Sequence, residues 1–413
     1  MSDQKFQRSY PSNQSIWGLN FLLFCISDVR HGVGPLLSIY LRSSLNWDAA
    51  MIGLALATVE FSSFLAQIPA GLLADATHYK RTIVVVSCLI IISGCSIILS
   101  FPHVGPILFA QFLMGFSIAL ISPAISSITL GLFGRKKLPT RSAKNEMWNH
   151  FGNVSTAVIA GLTAFLLGNQ WVFYIVIMFA VGSIAAVSLI RSKEIDYNVA
   201  RELISPLEGG REPSQPVSIL SLFKRKPIII FNLSLILYFI ANGSQMALLG
   251  QKLTGDAPSL GPLFIASSMT IAELTMIAVA FVMSFIVNRF GRKTFLLTAF
   301  LILPTRALLY LVSNNPYWEM SVQILDGMAA GILGVIGIVI ISDLGVGTGR
   351  FNFLLGVAAL SIGIGETASQ LLGGLVAKQW GFDAAFIFLA SVGILGSLFY
   401  ALCMPETKSR NEQ

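Results

Sequence analysis

Twelve stretches of this chain are apolar over roughly 18 or more residues, the length a helix needs to cross a hydrocarbon layer of ~30 Å. Six fall at residues 16–41, 49–73, 82–101, 104–132, 146–168 and 171–191. After a polar segment from Arg191 to Pro227, six more follow at 228–250, 261–287, 294–313, 317–341, 351–377 and 381–404. Charged residues, proline or glycine punctuate the gaps between them. This pattern predicts an all-α membrane protein whose crossings are divided six and six.

Composition agrees. The chain is 54% hydrophobic and 11% charged, with mean hydropathy +0.75; a soluble domain averages roughly 25% charged. Lipid is the solvent for most of it, and twelve crossings leave no length for a soluble catalytic domain. The four cysteines, Cys25, Cys88, Cys95 and Cys403, lie within or at the end of apolar runs, without the spacing of a disulfide or zinc framework, and read as small core hydrophobes. The first run is too long and too charged for a cleavable signal peptide and is expected to persist as the first helix.

The formal net charge of +7 raises nucleic acid as a partner, but the positions of the basic residues argue otherwise. With the amino terminus inside, the inner side collects Lys5, Arg8, Lys80, Arg81, Arg135, Lys136, Lys137, Arg141, Lys144, seven residues of the central segment, Arg289, Arg292, Lys293, Arg350, Lys408 and Arg410; the outer side holds Arg42, Lys252 and Lys378. This is the positive-inside pattern, and an even number of crossings with both termini cytoplasmic preserves it along the chain. The basicity therefore reports topology in a bacterial inner membrane. The expected organisation is a first bundle over 1–191, a cytoplasmic linker over 192–227, rich in Pro and Gly, and a second bundle over 228–413.

An internal repeat supports the division. Gly71-Leu-Leu-Ala-Asp75 with Lys80-Arg81, after the second run, aligns with Ser284-Phe-Ile-Val-Asn288-Arg289-Phe-Gly291-Arg292-Lys293, after the eighth. Gln111-Phe-Leu-Met-Gly115 in the fourth run aligns with Gln323-Ile-Leu-Asp326-Gly327 in the tenth. On these motifs the chain resembles the major facilitator superfamily over essentially its full length. The superfamily signature Gly-x-Leu-Ala-Asp-Arg-x-Gly-Arg-Lys is met by Gly71, Leu73, Ala74, Asp75 and Lys80 in the first copy. The second copy keeps Arg289, Gly291, Arg292 and Lys293 and replaces the acid with Asn288. Ala76, His78 and Tyr79 depart from the signature, and several further strings are similar to those of an uncharacterised bacterial branch. The resemblance implies two six-helix bundles around a central cavity, and a cytoplasmic gate formed by the signature residues. Capping and topology signalling are the other role these charges fit.

A charge near mid-bilayer costs roughly 2.5–3.5 kcal/mol, so it persists where a cavity or a partner receives it. Seven are present: Asp28 and Arg30 in the first run, Glu60 in the second, Glu273 in the eighth, Arg306 in the ninth, Asp326 in the tenth and Glu366 in the eleventh. The resemblance implies that crossings one, four, seven and ten line the cavity, that two, five, eight and eleven form the interface between bundles, and that the rest face lipid. Arg306 alone falls outside the first two groups. It lies ~18 Å above the inner start of its helix and Asp326 ~14 Å below the outer start of its own, at ~1.5 Å per residue. The two are expected to form a buried ion pair, with Asp326 also serving the cavity. Asp28 and His31 share a helix face while Arg30 points about 200° away. Arg30 is therefore assigned to Glu60, and Asp28 with His31 to a proton or cation site, with a packed histidine as the other reading of His31. Gly32, Gly34 and Pro35 interrupt the same helix, either to free carbonyls for the cavity or as a packing kink. Glu146, Asn149, His150 and Asn153 form a polar stripe on the fifth crossing that suits a wet cavity or an interhelical hydrogen-bond set.

Five core acids against two bases favour proton coupling or cationic and amphiphilic solutes over free anions. No phosphate loop, nucleophile–base pair or metal-ligand spacing is present, so neither an enzyme nor an ATP-driven pump is expected, and no cofactor or metal. The Gly-Pro step of the superfamily's antiporter motif is absent between Gly152 and Gly168, which leaves symport and uniport open. The expected function is secondary active transport of a small organic solute by alternating access, coupled to protons, with export of a metabolite, siderophore or drug included. An uncoupled uniporter, or an importer of a small organic or carboxylate-containing solute, is the alternative. A cavity enclosed by one chain implies a monomer as the working unit.

Overall fold

The structure, a computed structural model, describes residues 11–29, 34–196, 222–256, 260–286, 291–345 and 351–407. The first crossing is shared by α1 (Asn13–Val29) and α2 (Gly34–Ser43), and the second is α3 (Ala49–Ala76), whose first turn is capped by Asp48 accepting from the Met51 N–H at 2.9 Å. α4 (Lys80–Ser100) follows. α5 (Val104–Leu167) is two crossings joined through Gly134, whose φ of +71° breaks the helix where a side chain would be strained. Its first arm crosses over Val104–Gly134 and its second over Lys144–Leu167. α6 (Trp171–Leu189) completes the first six.

The second six are α7 (Lys226–Asn242) with α8 (Gln245–Asp256), then α9 (Gly261–Ile286), α10 (Arg292–Leu309), α11 (Pro316–Gly345), α12 (Phe351–Trp380) and α13 (Phe382–Cys403). Among the described residues, ten helical segments are long and apolar enough to cross a membrane. The divided first crossing and α10, which carries Arg292, Lys293 and Arg306, bring the total to twelve. The seventh departs from the expected single run over 228–250. It turns at Gly243 and Ser244, where the Ser244 N–H donates to Ser369 Oγ at 2.8 Å and Gln370 Nε2 donates to the Gly243 carbonyl at 2.9 Å. Side-chain partners from α12 satisfy backbone groups that the break exposes, so it is tolerated inside the bilayer.

Twelve antiparallel crossings bring the start of α1 and the end of α13 to one face, here the terminal face; the other is the distal face. The duplication read from the loops recurs in the packing. A Cβ placed on Gly115 of α5 would strike Ser62 and the Val59 carbonyl, and one on Gly327 of α11 would strike Thr275 and the Ala272 carbonyl. These are equivalent positions 212 or 213 residues apart. Likewise Gly161 of α5 abuts Ala266 and Pro262 of α9, and Gly374 of α12 abuts Gly53 and Ala49 of α3, each partner displaced by 213 residues. Small residues at these four places let backbones approach closely enough to pack without a hydrophobic driving force.

Two long seams therefore join the halves, α3 against α12 and the second arm of α5 against α9, with α2 against α8 between them. The buried core shows which face is closed. One apolar cluster runs from Leu37 and Leu41 of α2 through Leu248 and Leu253 of α8 to Tyr310 and Phe386 in the distal part of the second half. A separate cluster around Ile228, Phe231, Leu296, Ile340 and Tyr400 fills the terminal part of that half. Among the described residues, the core is continuous between halves only toward the distal face. Large apolar side chains such as Leu166, Val312 and Leu402 are exposed on the outside of the bundle, where acyl chains solvate them.

Candidate functional site

Between the halves lies a cavity of about 300 Å³ bordered by Glu60 of α3, Asn153 of α5, Glu273 of α9, Asp326 of α11 and Gln370 of α12. Three acids from both halves thus face one space. It adjoins, through Ala330, an apolar groove of about 400 Å³ walled by Tyr238, Phe239, Leu333, Ile338 and Leu355 of the second half.

Asp326 and Glu273 each have their own partners. Asp326 accepts from Arg306 Nη1, and Arg306 Nε donates to Gln245 Oε1 at 2.8 Å. Arg306 is 1% exposed whereas the Asp326 side chain is 22% exposed toward the cavity, so the guanidinium is sealed behind a carboxylate that remains wet. Glu273 accepts from His150 Nδ1 at 2.8 Å and from Asn153 Nδ2 at 2.9 Å; both donors come from the opposite half. Of the polar stripe on α5, His150 and Asn153 cross the seam, while Asn149 donates to Glu146 at 3.4 Å within its own helix. Glu60 and Glu366 border one groove where α3 meets α12. The sequence assigned Glu60 to Arg30, which lies outside the described residues, as does His31. The side chain of Asp28 is outside them too.

The described signature residues engage their own halves. Arg81 donates from Nε to the Val187 carbonyl at 3.2 Å and from Nη2 to the Ser188 carbonyl at 3.3 Å, at the end of α6, where a cation complements the helix dipole. Arg292 Nε lies 3.7 Å from Asp343. The backbone N–H groups of Arg292 and Lys293 donate to Glu406 at 2.8 and 3.2 Å, and a Cβ on Gly291 would strike that carboxylate. Lys80 is buried. Gly71, Asp75, Asn288 and Arg289 fall outside the described residues or side chains.

Sequence reasoning passed over three elements of the site. Gln245 is fully buried and orients Arg306, but a glutamine in an apolar run carries no periodic signal. The distal bridge of Asp48 to Lys378, 3.0 Å across the halves, joins an acid the sequence reading did not single out to a lysine read only as an outer-side charge. That Glu60 and Glu366 border one groove was available from the repeat: the 213-residue displacement of the loop motif maps Glu60 onto Glu273 and Asn153 onto Glu366.

An all-helical bundle with two duplicated halves, sealed on one face around a polar cavity, is the architecture of a membrane transporter. The profile of the Major Facilitator Superfamily matches residues 19–267 and 233–413, and the chain belongs to that superfamily. It is 33% identical over 389 residues to uncharacterized MFS-type transporters from two strains of Mycobacterium tuberculosis, CDC 1551 / Oshkosh and ATCC 25618 / H37Rv, covering 94% of this chain and 93% of theirs. In fold it is similar to a mutant of the nucleoside transporter NupG, with TM-score 0.78 and 14% identity over 95% of this chain and 100% of that one. It is also similar to a D-xylose-proton symporter, with TM-score 0.71 and 13% identity over 96% and 98%.

Proposed function

We propose that this protein is a proton-coupled secondary transporter that carries a small amphiphilic organic solute, neutral or cationic, across a bacterial inner membrane by alternating access. The observation that carries the reading is the single cavity bordered by Glu60, Glu273 and Asp326 from both halves, at the level where the distal seams close. A solute of ~300 Å³ or a little more fits it, with an apolar part in the adjoining groove. The carboxylates disfavour a free anion, since each already bears charge that a base or proton must offset.

On this reading the terminal face is cytoplasmic, following the excess of Lys and Arg on that side, and the described state faces inward. The bundles over 1–191 and 228–413 rock about the cavity, and the linker over 192–227 tethers them. The seams of small residues suit this motion, because backbones in contact slide without first withdrawing long side chains. Signature residues that cap their own helices in this state are free to meet across the terminal face in the opposite one. One chain suffices for the cycle.

The test has two stages. Purified protein is screened by thermal shift against a library of neutral and cationic metabolites, and stabilising compounds are then assayed for uptake into vesicles with an imposed pH gradient. Accumulation against the solute gradient that collapses with a protonophore is expected. Uptake that equilibrates without accumulating and ignores the pH gradient would replace coupling with facilitated diffusion, and the absence of any solute flux would remove the transport reading itself.

A further inference from the structure

The groove beside the central cavity is a trough between helix faces of the second half. α11 gives it Ala330, Leu333, Gly334, Gly337, Ile338 and Ile341, a stripe at helical spacing that is three turns long, or ~16 Å at ~1.5 Å per residue. Opposite, α7 gives Phe231, Leu235, Tyr238, Phe239 and Asn242, also over three turns, and Leu355 and Ala358 of α12 close the side. α7 packs on α12 and α13, whereas α11 packs on α9 and α10, so the trough separates two sets of helices. α7 and α11 run in opposite directions. Asn242 and Ala330 therefore stand at the cavity end, and Phe231 and Ile341 toward the terminal face. A volume of about 400 Å³ over that length leaves a mean cross-section of ~25 Å², the width of one hydrocarbon chain rather than of a fused ring system.

Two observations distinguish the trough from loose packing. The first is that the glycines of α11 divide by role. A Cβ at Gly327 would strike the Ala272 carbonyl and one at Gly331 would come within 3.0 Å of the Met276 carbonyl, both on α9, so these two serve helix contact. A Cβ at Gly334 would meet nothing within 4 Å, and one at Gly337 only Leu333 of its own helix at 3.6 Å. Larger side chains fit there and are not used. The first half differs: by the 212-residue displacement that matches Gly327 to Gly115, Gly337 corresponds to Ile125, which is buried, and Gly334 to Ser122, a polar wall of the groove beside Glu60. The second observation lies at the cavity end, where the Asn242 Oδ1 is buried with no hydrogen-bond partner among the described residues. An amide oxygen without a donor in an apolar wall is costly. A hydroxyl or amino group on a solute held at this level supplies the donor after a small rotation of the side chain. Asp326, one turn further along α11, also borders the cavity there.

We propose that the solute is a single-chain amphiphile, a hydroxyl- or amine-bearing head on a slender tail, lying along α11 with its head at Asn242 and its tail toward the terminal face. The trough admits a tail of roughly twelve carbons at ~1.3 Å per carbon of an extended chain. Gly334 and Gly337 set its girth, and Asn242 fixes where the head stops. The tail is held by the second half alone, so that grip is unchanged while the halves rock, and the two halves share only the head. The inference rests on the transporter reading and names the solute class of the same cavity.

Full-length protein in lipid nanodiscs is titrated with n-alkylamines from hexyl to hexadecyl, and the rise in unfolding temperature is read for each. Wild type is compared with Gly334→Leu, Gly337→Leu, Asn242→Leu and Gly356→Leu, the last an open glycine of α12 outside the trough. In wild type and Gly356→Leu, stabilisation should grow with each carbon up to about twelve and then stop. In Gly334→Leu and Gly337→Leu it should stop several carbons earlier, with no loss of stability in the ligand-free protein; the two are separate copies of the test should one fold poorly. Asn242→Leu should weaken every chain length alike, by roughly fivefold. Decylamine with a terminal diazirine should label Phe231, Ile341 or Leu355 in wild type and lose those attachments in Gly334→Leu. Stabilisation that climbs without a limit in all the proteins, as partition into the bilayer gives, overturns the proposal, as do wild-type labels confined to other residues. A phospholipid that copurifies with wild type and is lost from Gly334→Leu in native mass spectrometry assigns the trough to a membrane lipid and overturns it too. A chain-length limit that depends on Gly334, with no uptake of any of these amines or of other solutes into vesicles, counts instead against the transporter reading alone.

Discussion

Asp48 and Lys378 meet at 3.0 Å across the distal face, the first from the cap of α3 in one half and the second from the last turn of α12 in the other. The bridge sits beyond the Gly53–Gln370 and Gly374–Ala49 contacts and closes the outermost end of the same seam. Partial burial raises the Asp48 carboxyl, but the Met51 N–H and the Lys378 ammonium outweigh it and hold the group below its ordinary value. A depressed carboxyl contributes fully above the unfolded value of roughly 4 and loses that contribution as pH falls through the folded value. The bridge is therefore constant around neutrality, and any pH response of the distal face there must come from elsewhere in the seam.

Lys378→Gln should loosen distal closure only modestly, by ~0.2–1 kcal/mol, because both side chains are about half exposed and screened. Asp48→Asn removes the charge but keeps an oxygen for the Met51 N–H and should match it. Asp48→Ala also removes the helix cap and should cost about 1 kcal/mol more in thermal stability. Equal melting temperatures for the alanine and asparagine variants would show that the cap contributes nothing.

Arg306 and Asp326 respond unequally to truncation because they are unequally buried. Asp326→Ala strands a guanidinium that is 1% exposed, at a cost on the order of 3–5 kcal/mol. Arg306→Met leaves a carboxylate that still reaches the cavity, together with an unpartnered Gln245 oxygen, for about 1–3 kcal/mol. The double variant Arg306→Met with Asp326→Leu should be more stable than Asp326→Ala alone. A thermal unfolding cycle in detergent, closed with Asp326→Leu as the matching single variant, measures this coupling, and additive effects would contradict the pairing.

What the sequence conveyed and what it withheld divide along physical lines. Crossings were legible because the bilayer imposes one length on every span, and their ends fall close to the expected ones. The pairing of Arg306 with Asp326 could be anticipated because depth along two helices is a matter of rise per residue. Lateral position is another matter: periodicity gives the face on which Glu60 or His150 lies but not which helix stands opposite. His150 and Glu273, 123 residues apart, meet only because the two bundles are apposed. The repeat displacement could have supplied that information, because duplication carries contacts along with residues. The break at Gly243 falls in Asn242-Gly243-Ser244-Gln245, a polar interruption hidden by the long apolar stretches on either side of it, and the side chains that compensate it, Ser369 and Gln370, come from α12.

The signature glycine of the second half has a specific steric duty. A Cβ on Gly291 would occupy the space of the Glu406 carboxylate, which caps the first N–H groups of α10. Gly291→Ala can be accommodated by swinging the glutamate away, so its cost should be that of the lost cap, about 0.5–2 kcal/mol. In a Glu406→Ala background the same substitution should cost nothing further. A persistent penalty there, read by thermal unfolding, would mean that Gly291 is required for its backbone rather than for its neighbour.

Two equally crowded glycines should fail in different ways. Gly327 packs within the second half, where a Cβ would strike the Ala272 carbonyl and lie 2.6 Å from Thr275 Cβ. α9 and α11 belong to one bundle and have no alternative arrangement, so Gly327→Ala must strain the core, for about 1–3 kcal/mol of lost stability. Gly374 packs between the halves, with its added Cβ 2.6 Å from the Ala49 carbonyl. There the clash is relieved by parting the halves on the distal side, a motion that transport itself requires. Gly374→Ala should therefore leave the melting temperature nearly unchanged while lengthening the distance between spin labels at Ser44→Cys and Trp380→Cys, exposed positions on either side of the distal face. If instead Gly374→Ala melts early with the distal face still shut, α3 and α12 form a fixed interface and the halves do not separate there.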